Sequence, residues 1–262
     1  MPVQFFTKDA YDTPESARRI IWDRLFLNSR WYFVSRYVKI ITDARKLALE
    51  GRYDTEAWTR SSYDTFKAVE DCGGKIHVRG MDNLRSIREP VVFISNHMST
   101  LETFLFPSII APLMEVTYVV KESLVTHPLF GPVMRARKPI VVSRTNARED
   151  LVTVMTAGKE LMKGGTSLII FPQSTRTVDF KPENFNSLGI KLAKEAGVQA
   201  VPVAIKTDFW GNGRFLKDVG PVHRKEQVYM TFGEPFSISG AGKVEHKQVL
   251  EFITENLSKW KK

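Results

Sequence analysis

From Lys75 onward, short continuous apolar blocks alternate with stretches of helical character, and no other feature of the sequence constrains the fold as much. The blocks are "VVFIS" from residue 91, "VTYVV" from 116, "PIVVS" from 139, "SLIIF" from 167 and "VQAVPVAI" from 198. Helical stretches lie between them at 100–110, 147–163 and 187–196. A strand that is apolar on every residue must be covered on both sides. The expected fold is therefore α/β, a mostly parallel central sheet flanked by helices on both faces. Such sheets carry their sites at the C-terminal ends of the strands. "SNHMST" and "FPQSTRT" begin at two of those ends. Further on, "VYMTFGEPF" reads as an edge strand, and a last helix is expected over 244–260.

The chain before Lys75 has a different texture. Thr13 and Pro14 read as the N-cap and first residue of a helix that continues to about residue 50, interrupted near Asn28-Ser29 and stopped by Gly51. A second helix is expected over 55–70, ending before Gly73-Gly74. The expected organisation is an N-terminal two-helix region, 1–72, followed by an α/β domain, 73–262.

Composition narrows the partners. The formal charge of +9 favours anionic ones, whether phosphorylated metabolites, nucleic acid or an acidic membrane face. No nucleic-acid recognition motif appears, so no nucleic-acid partner is expected. A single cysteine, Cys72, permits no internal disulfide and no multi-thiolate metal site, which points to a reducing compartment. The N-terminus lacks the apolar core of a signal peptide. No run of about 18 uncharged apolar residues exists to span a bilayer.

"ISNHMSTLETF" holds the first candidate pair, His97 and Glu102. Five residues along a helix turn through about 500°, which would leave the two side chains about 140° apart. They meet only if His97 precedes the helix. "Ser99-Thr100-Leu101-Glu102" fits a capping box, with Ser99 as N-cap, so the helix starts after His97. Glu102 then either caps the helix and does nothing more, or fixes one ring nitrogen of His97 and leaves the other free as a base. No GxSxG element indicates a serine nucleophile, and His97 has no neighbouring second ligand for zinc. Arg144 and Arg176 follow two of the strands, where a planar guanidinium suits a bound phosphate or could simply be solvated. Lys121 ends another strand and either joins them or stays a surface charge.

Taken together, "NHMSTLE", "KESLVTHPLFGPVMRARKPIVVSR", "GTSLIIFPQSTRT" and "VQAVPVAI" resemble the glycerolipid acyltransferase family over roughly residues 75–235. That family includes 1-acylglycerol-3-phosphate and glycerol-3-phosphate acyltransferases. The resemblance implies transfer of a fatty acyl group from acyl-CoA or acyl carrier protein to a hydroxyl of a lysophospholipid. The thioester is a co-substrate, and no further cofactor or metal is implied. In the family's HxxxxD pattern the histidine is the base and the acidic residue orients it, which maps to His97 and Glu102. The acceptor phosphate maps to Arg144 and Arg176, with Lys121 nearby. Pro202 maps to a structural position near the acyl pocket. Backbone N–H groups at the helix start near His97 are candidates to bind the oxyanion. With Cys72 far from the motifs, direct transfer in a ternary complex is expected rather than a covalent acyl-enzyme.

The sequence departs from the family pattern at several places. Glu102 stands for aspartate, and "FPQSTRT" stands for FPEGTRS. Gln173 is neutral where a glutamate is usual, Ser174 replaces glycine and Thr175 follows it. Beyond this acceptor-site loop, Asn186 and Leu188 occupy the Lys and Gly places of F-K-x-G. These changes leave glycerol-3-phosphate or another lysolipid as alternative acceptors to 1-acyl-sn-glycerol-3-phosphate. A non-catalytic lipid-binding module is the alternative in a different class.

Amphiphilic substrates imply a membrane surface. Residues 1–66 hold 13 of the 29 aromatic residues, and 14–50 carry eight Lys/Arg against four Asp/Glu. A basic, aromatic helical segment suits interfacial contact. The expected location is peripheral, on the cytoplasmic face of a phospholipid membrane, with no transmembrane helix.

Overall fold

The computed structural model describes residues 2–213 and 219–261. Its strands are β1 (Tyr11–Asp12), β2 (Ile76–Arg79), β3 (Val91–Ser95), β4 (Val116–Lys121), β5 (Ile140–Val142), β6 (Ser167–Ile170), β7 (Gln199–Lys206) and β8 (Val228–Phe232). Its helices are α1 (Ile21–Leu25), α2 (Trp31–Leu49), α3 (Thr55–Asp71), α4 (Met81–Ser86), α5 (Leu101–Ile110), α6 (Glu122–Thr126), α7 (Gly131–Ala136), α8 (Ala147–Lys163), α9 (Leu188–Ala196) and α10 (Lys243–Trp260).

All strands join one sheet in the order β1-β2-β8-β7-β3-β6-β4-β5. The run from β7 to β5 is parallel, with Ile94 opposite both Ile170 and Pro202 at its centre. Every residue of β3 and of β6 is buried. Successive side chains point to opposite faces, so both faces of the sheet are covered, as the unbroken apolar blocks require. α9 packs on β3 and β7 so closely that a Cβ on Gly189 would stand 2.8 Å from Ile94. The glycine that permits this approach follows Leu188 directly.

Two expectations about the sheet are corrected. β8 is not an edge strand. It lies between β7, to which it is antiparallel, and β2, to which it is parallel. β2 itself went unread because "IHVR" is short and alternates apolar with polar side chains, as an exposed surface strand would. The edge beyond β2 is closed by β1.

The N-terminal region is corrected as well. Thr13 does not cap a helix. Its N–H donates to the Ile76 carbonyl at 2.9 Å and its hydroxyl accepts the Ile76 N–H at 2.9 Å, which continues the pairing of β1 with β2. Pro14 begins a turn closed by the Ala17 N–H. The long helix is broken at Leu27 and Asn28, whose φ values of 54° and 61° are left-handed. α1 is therefore a short arm joined to α2 by an elbow. α2 buries Phe33, Tyr37, Ile40, Ile41 and Ala44 at helical spacing. Phe33 and Tyr37 pack edge-on against Trp210, at ring separations of 5.0 and 4.5 Å. The inner faces of α2 and α3 thus share one hydrophobic core with the sheet.

Pro107 inside α5 sets how that helix is held. Proline lacks an N–H and frees the carbonyl four residues back. That carbonyl, Thr103 O, accepts the Tyr118 hydroxyl of β4 at 3.0 Å. The next one, Phe104 O, accepts the Ser62 hydroxyl of α3 at 2.6 Å, and Ser62 accepts the Ser108 N–H at 2.8 Å. α5 is pinned to both neighbours at the two residues that follow Glu102.

Candidate active site

β3 delivers its chain end to the middle of the sheet, and the segment 96–99 follows it. Asn96 is buried and behaves like one more strand residue. Its side-chain amide donates to the Ile205 carbonyl and accepts the Ile205 N–H, each at 2.9 Å. His97 comes next. Its N–H donates to Gln173 Oε1 at 2.7 Å, and its carbonyl accepts the Thr177 N–H at 3.0 Å. The imidazole lies 4.2 Å from the Phe171 ring, nearly parallel to it.

His97 Nδ1 and Glu102 Oε1 are 2.8 Å apart. The helix begins one residue later than a full capping box would have it. Thr100 stands at the N-cap but its side chain does not cap the helix, and the Ser99 hydroxyl accepts the Leu101 N–H at 3.0 Å. The other half of the box is present, because Glu102 reaches back and accepts the Ser99 N–H at 3.0 Å. It also accepts the Met98 N–H at 2.7 Å and the Thr207 hydroxyl at 2.6 Å.

Glu102 has no solvent exposure. Burial, the largest influence, pushes its carboxyl up, but the His97 bond and charge and the Thr207 hydroxyl outweigh it and hold it below the usual range. An ionised carboxylate only accepts, so the Nδ1 proton belongs to His97. The lone pair is then on Nε2, and a ring held in this tautomer can take a proton there.

Four of the backbone N–H groups offered as oxyanion donors are already engaged. Those of His97, Met98, Ser99 and Leu101 are engaged by Gln173, Glu102 and Ser99.

The remaining residues read from the sequence converge on one cleft of about 1100 Å³. His97, Lys121, Arg144, Gln173, Ser174, Thr175 and Arg176 all line it. Arg144 takes a left-handed backbone, with φ of 60°. Asp150 holds it there by accepting the Arg144 N–H at 2.7 Å and the Ser143 N–H at 2.8 Å. Burial, the largest single influence, pushes the Asp150 carboxyl up, but those bonds, with the Ser143 hydroxyl and the Arg144 charge, hold it below its ordinary range. From this position Arg144 Nη1 donates to the Ser174 carbonyl at 2.7 Å, which ties the β5 and β6 loops together. Asn186 also lines the cleft but is used internally, accepting the Leu188 N–H at 2.9 Å and donating to the Pro172 carbonyl at 2.6 Å. Pro202 lies inside β7 and does not line the cleft.

Another part of the same cleft is apolar. Tyr37, Phe104 and Phe130 form a ring cluster with centroid separations of 5.1 to 6.5 Å, and Met134 and Trp58 extend the lining. Sequence reasoning missed these rings as site residues, together with Phe171, Asp150 and Thr207. They come from separate elements, and no local motif joins them to His97. Cys72 is buried beneath α1, where desolvation and the Asp23 charge push its thiol far up.

The family model described as "Acyltransferase" matches residues 75–206. A 1-acyl-sn-glycerol-3-phosphate acyltransferase of Pseudomonas aeruginosa is 30% identical over 172 residues, which cover 65% of this chain and 64% of that protein. One from Saccharomyces cerevisiae is 28% identical, over 60% of this chain and 51% of that protein. A lyso-ornithine lipid O-acyltransferase of Pseudomonas aeruginosa is 27% identical, over 60% and 64%. The chain thus spans less than two thirds of the length of these relatives. Among solved structures, the 1-acyl-sn-glycerophosphate acyltransferase PlsC of Thermotoga maritima matches with a TM-score of 0.69 at 20% identity, over 90% of this chain and 95% of that one. That likeness carries the fold.

Proposed function

Since the chain belongs to the acyltransferase family, we propose that it moves a fatty acyl group from a thioester, acyl-CoA or acyl carrier protein, to the free hydroxyl of a lysophospholipid. The acceptor proposed is 1-acyl-sn-glycerol-3-phosphate, and the product is phosphatidic acid. The observation that carries this reading is the oriented His97–Glu102 pair opening on a cleft that holds both cations and an apolar ring cluster. A phosphate and a fatty chain on one molecule need both linings.

In this mechanism His97 Nε2 takes the proton of the acceptor hydroxyl as its oxygen attacks the thioester carbonyl. The C–O bond forms and a tetrahedral oxyanion results. The C–S bond then breaks, and the imidazolium returns its proton to the leaving thiolate. Glu102 keeps the ring in the Nδ1–H tautomer and stabilises the imidazolium. Arg144, Arg176 and Lys121 bind the acceptor phosphate and fix the hydroxyl near Nε2. No covalent acyl-enzyme is needed, in keeping with a Cys72 thiol that is buried and held protonated.

The membrane contact belongs to the elbow. Ile21, Trp22, Leu25, Phe26, Leu27 and Trp31 are exposed, Leu27 at 88%. Arg18, Arg24 and Arg30 lie beside them in the chain. An apolar and basic patch of this kind seats in the headgroup region of an anionic bilayer. No helix among the described residues is long and apolar enough to cross a membrane. The protein is proposed to lie on the cytoplasmic face.

The test is a matrix of purified protein, acyl-CoA and acyl carrier protein thioesters, and a panel of lysolipids with glycerol-3-phosphate. The expected product is a diacyl phospholipid from a phosphorylated lysolipid, detected by mass spectrometry. No product with any pair would leave only the lipid-binding module.

A further inference from the structure

Taking Glu102 as the orienter of the base leaves one carboxylate oxygen without an assigned purpose. Oε1 meets the His97 ring and the Met98 and Ser99 N–H groups. Oε2 is met most closely by the Thr207 hydroxyl, at 2.6 Å, and at longer range by the Ser99 hydroxyl at 3.0 Å and the Ser99 N–H at 3.1 Å; Glu102 and Thr207 have no solvent exposure. The carboxylate only accepts, so the Thr207 proton points at Oε2. Thr207 directly follows β7, and its backbone is tied to the same loop. Its N–H points at Met98 Sδ at 3.2 Å, and its carbonyl lies 3.0 Å from the Ser99 hydroxyl. With the Asn96–Ile205 pair, the end of β7 holds the whole 96–99 segment.

We infer that Thr207 is a positioning residue for acyl transfer: its hydroxyl fixes Glu102 Oε2 and so sets the plane in which Oε1 meets His97. The argument turns on the glutamate. Compared with the aspartate of the pattern this stretch resembles, Glu102 has one more methylene and one more rotatable bond. A carboxylate that is to aim an imidazole must have that freedom removed. Ser99 and Met98 hold it from the helix side, and Thr207 holds it from the opposite strand. The inference rests on the proposed role of His97.

The test compares T207V, which keeps the shape and loses the hydroxyl, with T207S, which keeps the hydroxyl. T207V is expected to lower kcat about tenfold, the loss of one hydrogen bond to a charged group, with both KM values within about twofold. T207S recovers most of the rate. The acid limb of the kcat/KM profile moves to higher pH in T207V, because a buried carboxylate with fewer donors takes up a proton more readily. His97 and Tyr118 are titratable groups that face it, and the Tyr118 hydroxyl is held neutral by burial and by the Glu102 charge. A role in packing alone would lower the rate without moving the limb. The pair is then isolated in an E102D background, whose shorter carboxylate does not reach Thr207. There T207V is expected to add less than about twofold. The same cycle is read in Tm, which needs no acyl transfer: T207V lowers Tm in the wild type and leaves that of E102D alone. A wild type that acylates nothing overturns the proposed function, while the Tm cycle still decides on the Thr207–Glu102 bond. Equal effects of T207V in both backgrounds overturn the inference.

Discussion

Asp23 and Glu102 are both sealed from solvent, and they are held in opposite ways. Asp23, under the elbow, is gripped by two permanent cations. Arg224 binds it with two nitrogens at 2.6 and 3.0 Å and also donates to the carbonyls of Asn28 and Ser29, each at 2.7 Å. Arg19 closes the other side. Glu102 is surrounded by neutral donors and one histidine. The first carboxylate cannot pass its charge to anything, since guanidinium does not release protons at any working pH. The second faces an imidazole, which in the proposed mechanism takes up and returns a proton. The same residue class, equally buried, is structural in one setting and, in that mechanism, chemical in the other. The partner decides, not the depth.

Four substitutions would break or sharpen this contrast. The largest effect is expected from H97A, which removes the base and should lower kcat by roughly 10³-fold or more. Circular dichroism and Tm close to wild type would show that the loss is chemical; near-normal turnover would sink the mechanism. Next is D23A. It leaves the half-buried Arg224 without its carboxylate partner, and should cost about 3 kcal/mol of stability in urea unfolding. It should also loosen the elbow, so that liposome binding weakens while the intrinsic rate on soluble short-chain substrates stays within about threefold. A stable D23A protein would mean that the clamp is not what fixes the arm. Third, R176A should raise the KM for phosphorylated acceptors about tenfold and change kcat less. An unchanged KM with every phosphorylated acceptor would remove the clamp role. The smallest effect is expected from L27S at the elbow tip, a loss of about threefold in binding to anionic vesicles.

The stability profile should carry the pH dependence of Glu102 as well. Glu102 is held below its usual range in the fold, so the stability it contributes is complete at neutral pH. That contribution is lost as pH falls through the lowered value. E102Q removes this part of the stability profile.

The sequence carried the five parallel strands well, because their signal is local: unbroken apolar runs that only a doubly covered sheet can bury. It carried β8 as a strand but put it at an edge, since which neighbours a strand takes is not written in its own residues. Thr13-Pro14 read as a helix start because a threonine before a proline fits an N-cap, whereas the actual partner, Ile76, lies 63 residues away. The His97–Glu102 pair was legible for the reason that β8 was not. Its two members are five residues apart and a capping pattern spans them. Thr207 was invisible, being 105 residues from Glu102. The left-handed backbone of Arg144 had no sequence signal either. Arginine has no preference for it, and the cause is Asp150, acting from the first turn of the following helix.

The junction of β7 with the histidine loop also restricts how the chain can change length. Side chains alternate along a strand, so one residue added inside β7 would turn the Thr207 hydroxyl to the opposite side of the sheet and shift the Ile205 amide out of step with Asn96. Such an insertion would disturb the histidine loop without touching any residue in it. Even-numbered changes preserve the parity but move the junction along the sheet by about 7 Å, well beyond hydrogen-bond reach. Length variation in this part of the fold is therefore confined to segments beyond the strand, and the reach of β7 works as a fixed measure for the placement of His97.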